Sequence, residues 1–126
     1  MLEDVVKKLK YKSGRAIVLF PPEGFRLGIE TDERLEGKFE FVLLFVNDAK
    51  ETIERLKQVI PHLADDAVFW ITYPKQSSKV KTDINRDILW KLIQEHSEYT
   101  LVSNVSIDEK WSTVRARHIS KTSRKS

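Results

Sequence analysis

The stretch Tyr73-Pro-Lys-Gln-Ser-Ser-Lys-Val-Lys-Thr-Asp-Ile-Asn-Arg86 holds the densest set of groups able to bind a ligand. Lys75, Lys79, Lys81 and Arg86 bring positive charge, Ser77, Ser78 and Thr82 bring hydroxyls, and Asn85 brings an amide, all just ahead of an amphipathic segment. The first turn of a helix leaves backbone N–H groups without intrahelical partners, so cations and hydroxyls gathered there form a seat for phosphate or another anion. The chemistry expected is binding, not reaction. The spacing lacks the Gly-x-x-x-x-Gly-Lys-Ser/Thr pattern of a nucleoside triphosphatase. The competing reading is structural: Thr82 or Asp83 caps the helix, Arg86 pairs with Asp83 or Asp87, and the lysines are solvated.

Trp90 extends this candidate site. It sits about 200° from Ile88 around the helix, off the apolar stripe, so it is expected to be partly exposed, covering the loop before the helix or anchoring a partner. Two further positions fall on neighbouring loops. Asn47 follows the second apolar run, and Glu23, beside Gly24, is the one acid considered as a base. His62, His96 and His118 stand near the ends of three separate elements with no ligand-spaced partner, so each reads as a structural histidine, with His96 continuing an apolar helix face. No serine lies in a Gly-x-Ser-x-Gly elbow. The expectation is therefore no catalytic residue, no metal and no cofactor.

The elements that must position these residues follow from hydrophobic patterning. Ala16-Ile-Val-Leu-Phe20, Phe39-Glu-Phe-Val-Leu-Leu-Phe-Val46 and Ala67-Val-Phe-Trp-Ile-Thr-Tyr73 are apolar, β-branched and aromatic runs bounded by turn residues, which predicts strands buried on both faces, with Trp70 in the core. Ala49, Ile53, Leu56, Ile60 and Leu63 recur at helical spacing, and Asp48 with Glu51 forms a capping box. Ile84, Ile88, Leu89, Leu92, Ile93 and His96 make a second helix, and a short helical turn is expected around Glu3 to Leu9. Tyr99 to Ile107 and Trp111 to Ile119 are strand-like and separated only by Asp108-Glu109-Lys110, a link that forces an antiparallel hairpin. Trp111 is expected to pack under that hairpin.

This order predicts an α/β fold: a three-layer, Rossmann-like, mostly parallel sheet of about five strands with a C-terminal antiparallel hairpin at its edge. Ligands of such sheets bind beyond the carboxyl ends of the parallel strands, where the loop from Tyr73 to Arg86 falls. The hairpin leaves an edge whose charged residues read as protection against pairing.

The chain has 126 residues, 40% of them hydrophobic, which suits a single domain over 1–119 followed by a basic, disordered tail over 120–126. It has no cysteine, which excludes disulfides and thiolate chemistry and points to the cytoplasm. No leader and no membrane segment are expected. The net charge of +3 hides an asymmetry, because residues 20–66 hold 11 acidic and 6 basic side chains and residues 67–126 hold 6 and 11. The basic second half includes the candidate loop. It also includes Lys110, Arg115, Arg117, Lys121, Arg124 and Lys125, which with Trp111 allow a weak nucleic-acid contact as an alternative.

The order from Phe39 onward resembles the C-terminal half of the class I methyltransferases, which implies a second alternative, a degenerate or minimal transferase binding an adenosine-containing cofactor beside Pro21 to Phe25 and Asn47-Asp48. Against that pattern, the first strand runs into Pro21-Pro22-Glu23-Gly24-Phe25, with a single glycine in place of a glycine-rich loop. A longer match, from about Leu9 to His118, rests on Tyr11-Lys-Ser-Gly14, Pro22-Glu-Gly-Phe25, Phe41-Val-Leu-Leu-Phe-Val46, Trp70-Ile-Thr-Tyr-Pro-Lys75, Lys81-Thr-Asp-Ile-Asn-Arg-Asp87 with Trp90, and Val105-Ser-Ile-Asp-Glu-Lys-Trp-Ser112. On these segments the chain resembles a family of small bacterial proteins known as a domain of unknown function. That resemblance implies a truncated α/β fold in a bacterial cytosol. The function expected is a non-catalytic module that binds an anionic, phosphate- or nucleotide-like ligand or an acidic partner at the loop after the third strand.

Overall fold

The computed structural model describes residues 15–20, 34, 36–74, 84–107 and 111–119. The expected turn near Glu3, the loop containing Glu23, the loop residues Lys75, Ser77, Ser78, Lys79, Lys81 and Thr82, and the 120–126 tail lie outside the described residues. The strands are β1 (Ala16–Leu19), β2 (Phe39–Phe45), β3 (Leu63–Pro74), β4 (Tyr99–Ser106) and β5 (Trp111–His118). Helix α1 (Ala49–Val59) links β2 to β3 through a 3-10 turn (Ile60–His62), and α2 (Arg86–His96) precedes β4.

The strand order is β1-β2-β3-β5-β4, with β1–β2 and β2–β3 parallel and β3–β5 and β5–β4 antiparallel. The expected three-layer, Rossmann-like, mostly parallel sheet is therefore incorrect. The sheet is mixed, and its antiparallel ladders, with six and seven paired positions, outweigh the parallel ones, with four and six. Both described helices pack against each other and into one shared core, on one face of the sheet. The physical reason lies in the hairpin. A short link obliges β5 to lie beside β4 but leaves open on which side, and β5 inserts between β3 and β4. What would have been a parallel β3–β4 ladder is replaced by two antiparallel ones.

Burial explains the insertion. Trp111, Ser112, Thr113, Val114 and Ala116 are buried, whereas Val102, Ser103, Asn104 and Ser106 are exposed. A central strand needs both faces covered, and β5 carries the side chains that gain from it. Among the described strands β4, not β5, is the outermost on this side of the sheet.

The sheet separates two apolar layers. Ile17, Val42, Leu44, Phe69, Ile71, Val114 and Ala116 pack with Leu56 and Val59 of α1 and Leu89 and Ile93 of α2. On the opposite face Phe41, Leu43, Phe45, Trp70 and Trp111 cluster, with Trp70 in the core as its sequence context predicts. Alternation along each strand feeds both layers, which is why these strands read as continuous apolar runs.

Helix α1 starts where the capping box sets it. The Glu51 N–H donates to Asp48 Oδ1 at 2.8 Å. The reciprocal arm reaches one residue further back, for the Glu51 carboxylate accepts from the Asn47 N–H at 2.9 Å and from Asn47 Nδ2 at 3.1 Å. The helix stops at Val59 and does not run on through Leu63, because Pro61 brings no N–H and Leu63 already belongs to β3.

At the opposite end of the strands Gly37 holds a positive φ of 74° beneath the Arg15 guanidinium. Arg15 donates to the Glu36 carbonyl at 2.9 Å and the Lys38 carbonyl at 3.2 Å, and its charge lies 4.4 Å from the centre of the Phe39 ring. A Cβ at position 37 would sit 2.7 Å from Arg15 Nη1. Gly37→Ala is expected to cost about 1–2 kcal/mol through left-handed strain, lowering the melting temperature by several degrees. An unchanged melting temperature in a thermal scan would show that the turn has no need of glycine.

Candidate functional site

Two elements build the candidate site, the first turns of α2 and the bulged middle of β4. The α2 cap is Asn85, whose Oδ1 accepts from the Ile88 N–H at 2.9 Å. Neither Thr82 nor Asp83 occupies that position, so the expected cap is corrected by up to three residues. The Asn85 side chain serves the helix start. Arg86 is the first helical residue, and its Nε lies 4.0 Å from Asp87 Oδ1, with 60% and 84% of the two side chains exposed. An ion pair that long and that solvated contributes little, leaving the guanidinium able to meet another anion.

Trp90, one turn on, is 44% exposed as expected, but Ile88, from which its angle was taken, is 40% exposed as well, and the buried pair of α2 is Leu89 and Ile93. Its Nε1–H donates to Thr100 Oγ1 at 3.0 Å, and Gln94 Nε2 donates to the same oxygen at 3.0 Å. The indole is thus tethered to β4, the described contact that fixes it. The loop it was expected to cover lies outside the described residues.

A break in the β4 ladder shapes the other wall. Leu101 opposes Ala116 and Ser103 opposes Arg115, so Val102 is an extra residue with no counterpart on β5. The bulge resets the alternation. Leu101 and Asn104, three apart, both oppose residues of the helix-bearing face, Ala116 and Val114. In a regular strand Asn104 would face the other way. Between these walls opens a recess of about 260 Å³, lined by Arg86 and Trp90 of α2, Leu101, Val102, Ser103 and Asn104 of β4, and Val114 of β5. A guanidinium, an indole and an amide therefore share one apolar-floored cleft.

Of the residues singled out from sequence, Arg86 and Trp90 come together here, and Asn85 adjoins them as the cap. Asn47 does not line the recess; it stands at the carboxyl end of β2, bonded to Glu51. Thr100, Ser103 and Asn104 escaped the sequence reading, since isolated polar residues in a strand carry no signal of which face they will share.

A second feature near Asn47 also escaped it. Arg55 Nη1 donates to the Phe45 carbonyl at 2.8 Å and lies 3.3 Å from Glu51 Oε1, while its guanidinium covers the Phe20 ring at 3.9 Å. Phe20, expected to be the buried end of the first strand, is 47% exposed with φ of 58°, a left-handed conformation unusual for an aromatic residue. The cation–π contact holds the Phe20 ring against the middle of α1.

The remaining candidates have structural surroundings. His62 Nδ1 lies 2.7 Å from the Gly37 carbonyl, and His118 packs edge-on against Tyr99 with Nε2 3.9 Å from Glu98. His96 is exposed and does not continue the apolar face. Among the described residues no group of three or more His, Cys, Asp or Glu is placed to hold a metal ion, and no helix is long and apolar enough to cross a membrane. Trp111 is 8% exposed, with its ring edge-on to Phe45 at 5.2 Å, and so offers no face for a base to stack on. Arg115 and Arg117, named for a nucleic-acid contact, are half-buried on strand β5, opposite Trp70 and Thr100, while Lys110, Lys121, Arg124 and Lys125 lie outside the described residues.

Comparison of the chain with protein-family models, with curated proteins and with solved structures finds no match.

Proposed function

We propose that this protein is a non-catalytic binding module, and that its ligand is a small anion carrying a planar ring, nucleotide-like in character, seated in the recess between α2 and β4. The observation that carries this reading is the pairing of Arg86 and Trp90, one helical turn apart, on a single cleft with Asn104 opposite. Arg86 offers a planar guanidinium matched to phosphate or carboxylate, Trp90 offers an aromatic face, and the Asn104 amide can both donate and accept. A cleft of about 260 Å³ suits one ring and one charged group, near the lower limit of small-molecule sites.

Adenosine monophosphate and inorganic phosphate serve as probes. Titration of the monophosphate followed by NMR is expected to move the Trp90 indole N–H and the amides of 101–104, with phosphate alone moving the Arg86 region less. Arg86→Glu should weaken binding by about tenfold or more, the scale of one charge-assisted hydrogen bond. Wild-type spectra that stay unchanged at millimolar concentrations of both probes refute the reading.

A further inference from the structure

We infer that Thr100, which does not line the recess, sets its ligand preference: by holding the Trp90 indole in one orientation, it favours anions that carry a planar ring over anions that lack one. This role rests on the binding reading above and deepens it, since it names the residue behind the ring preference of that same site. Trp90 Nε1–H and Gln94 Nε2–H each donate to Thr100 Oγ1 at 3.0 Å. A hydroxyl oxygen accepts two hydrogen bonds, so both of its acceptor positions are filled from α2. Thr100 stands on β4 beside Leu101, which lines the recess, and two residues before the bulge at Val102. The bond therefore ties one wall of the recess to the other.

Trp90 needs such a tie. Neighbours on every side fix an indole such as Trp70, at 1% exposure, whereas Trp90 is 44% exposed and packing holds only part of it. Exposed side chains change rotamer within picoseconds to nanoseconds, and a ligand that binds a moving ring must also arrest it. Threonine is suited to prevent this motion, because branching at Cβ restricts χ1 and so fixes the direction of the hydroxyl on its strand. The bond also decides what Trp90 can offer. An indole N–H is a donor only, and Thr100 occupies it, which leaves the ligand an apolar ring surface. A planar ring gains from that surface and a bare phosphate does not. Charge is read separately, by Arg86 one turn earlier on the same helix. A bond that served only to hold α2 on the sheet would affect both classes of ligand alike.

Wild type, Thr100→Val and Thr100→Ser, each as the full chain, separate these roles. Valine keeps the branched shape and removes the acceptor; serine keeps the acceptor. In the ligand-free protein, nitrogen relaxation of the Trp90 indole N–H should give an order parameter near the rigid value of about 0.85 for wild type, falling to about 0.6 or below in Thr100→Val. NMR titration with adenosine monophosphate should show affinity about three- to tenfold weaker in Thr100→Val, the cost of ordering one side chain. Ribose phosphate, which keeps the charge and the sugar without the base, should change by less than about twofold. Thr100→Ser should restore the order parameter and bring the monophosphate affinity to within about twofold of wild type. Thr100 is only partly buried, so thermal scans should place all three forms within a few degrees of one another. A Thr100→Val chain that keeps an ordered indole, or binds the monophosphate as wild type does, overturns this role for Thr100, as does an equal loss for both probes; the recess reading survives any of these results. A wild-type chain that binds neither probe refutes the recess reading and the role of Thr100 together.

Discussion

Trp70→Ala is expected to lower the unfolding free energy by about 3–5 kcal/mol, the largest single-residue loss in the molecule. Trp70 is 1% exposed at the centre of β3, with Leu43 opposite on β2 and Arg115 opposite on β5. It shares its face with Phe41, Phe45 and Trp111. Removing the indole forfeits its burial and leaves a void walled by aromatic rings on strands paired from both sides, which cannot close without breaking two ladders. Since domains of this size hold only about 5–15 kcal/mol, the variant should stand near the limit of folding. Urea titration should move the midpoint down by about 1.5–3 M. Trp90→Ala supplies the control, because the same atoms leave a half-exposed site; its loss should stay within about 1 kcal/mol. Equal losses in the two variants would contradict the burial assigned to β3.

Thr113→Val is expected to destabilise by about 1–3 kcal/mol even though it conserves volume, and Thr72→Val by a similar amount. The two hydroxyls are fully buried on facing positions of β3 and β5, where Thr72 Oγ1 donates to Thr113 Oγ1 at 2.9 Å. Either single replacement leaves a hydroxyl stranded in an apolar layer, and that desolvation dominates the cost. The double variant Thr72→Val with Thr113→Val strands neither. It should recover most of the loss, with a coupling of at least about 1 kcal/mol in a double-mutant cycle. Strictly additive losses would mean that the pair is not closed in solution. The same bond also tests the topology, since it exists only if β5 lies directly beside β3.

Much of the site's local architecture is legible in the residues. Asp48 and Glu51 announce the start of α1 because a capping box needs nothing beyond three residues of separation. The exposure of Trp90 is legible only in outcome, because Ile88, the residue its angle was measured from, is itself 40% exposed and the buried face of α2 is Leu89 and Ile93. Asn85 shows where such reasoning ends. Thr82, Asp83 and Asn85 are all able to cap, and the choice among them depends on how the chain leaves β3, which no local pattern encodes. Val102 is less legible still, for a bulge is a mismatch between two strands and has no signature in either one.

By itself the sequence determined the strands, the helices and the obligatory hairpin, because each depends on side-chain periodicity, capping and link length within a few residues. It also determined that Arg86 and Trp90 share a helix and lie one turn apart. Only the tertiary structure decided that β5 enters between β3 and β4, that β4 is the outermost described strand beside it, and that a bulge turns Asn104 toward Arg86 and Trp90. These are choices between non-local pairings of similar local merit. They are settled by which strand gains more from burial on both faces, a comparison that exists only once the whole sheet has assembled.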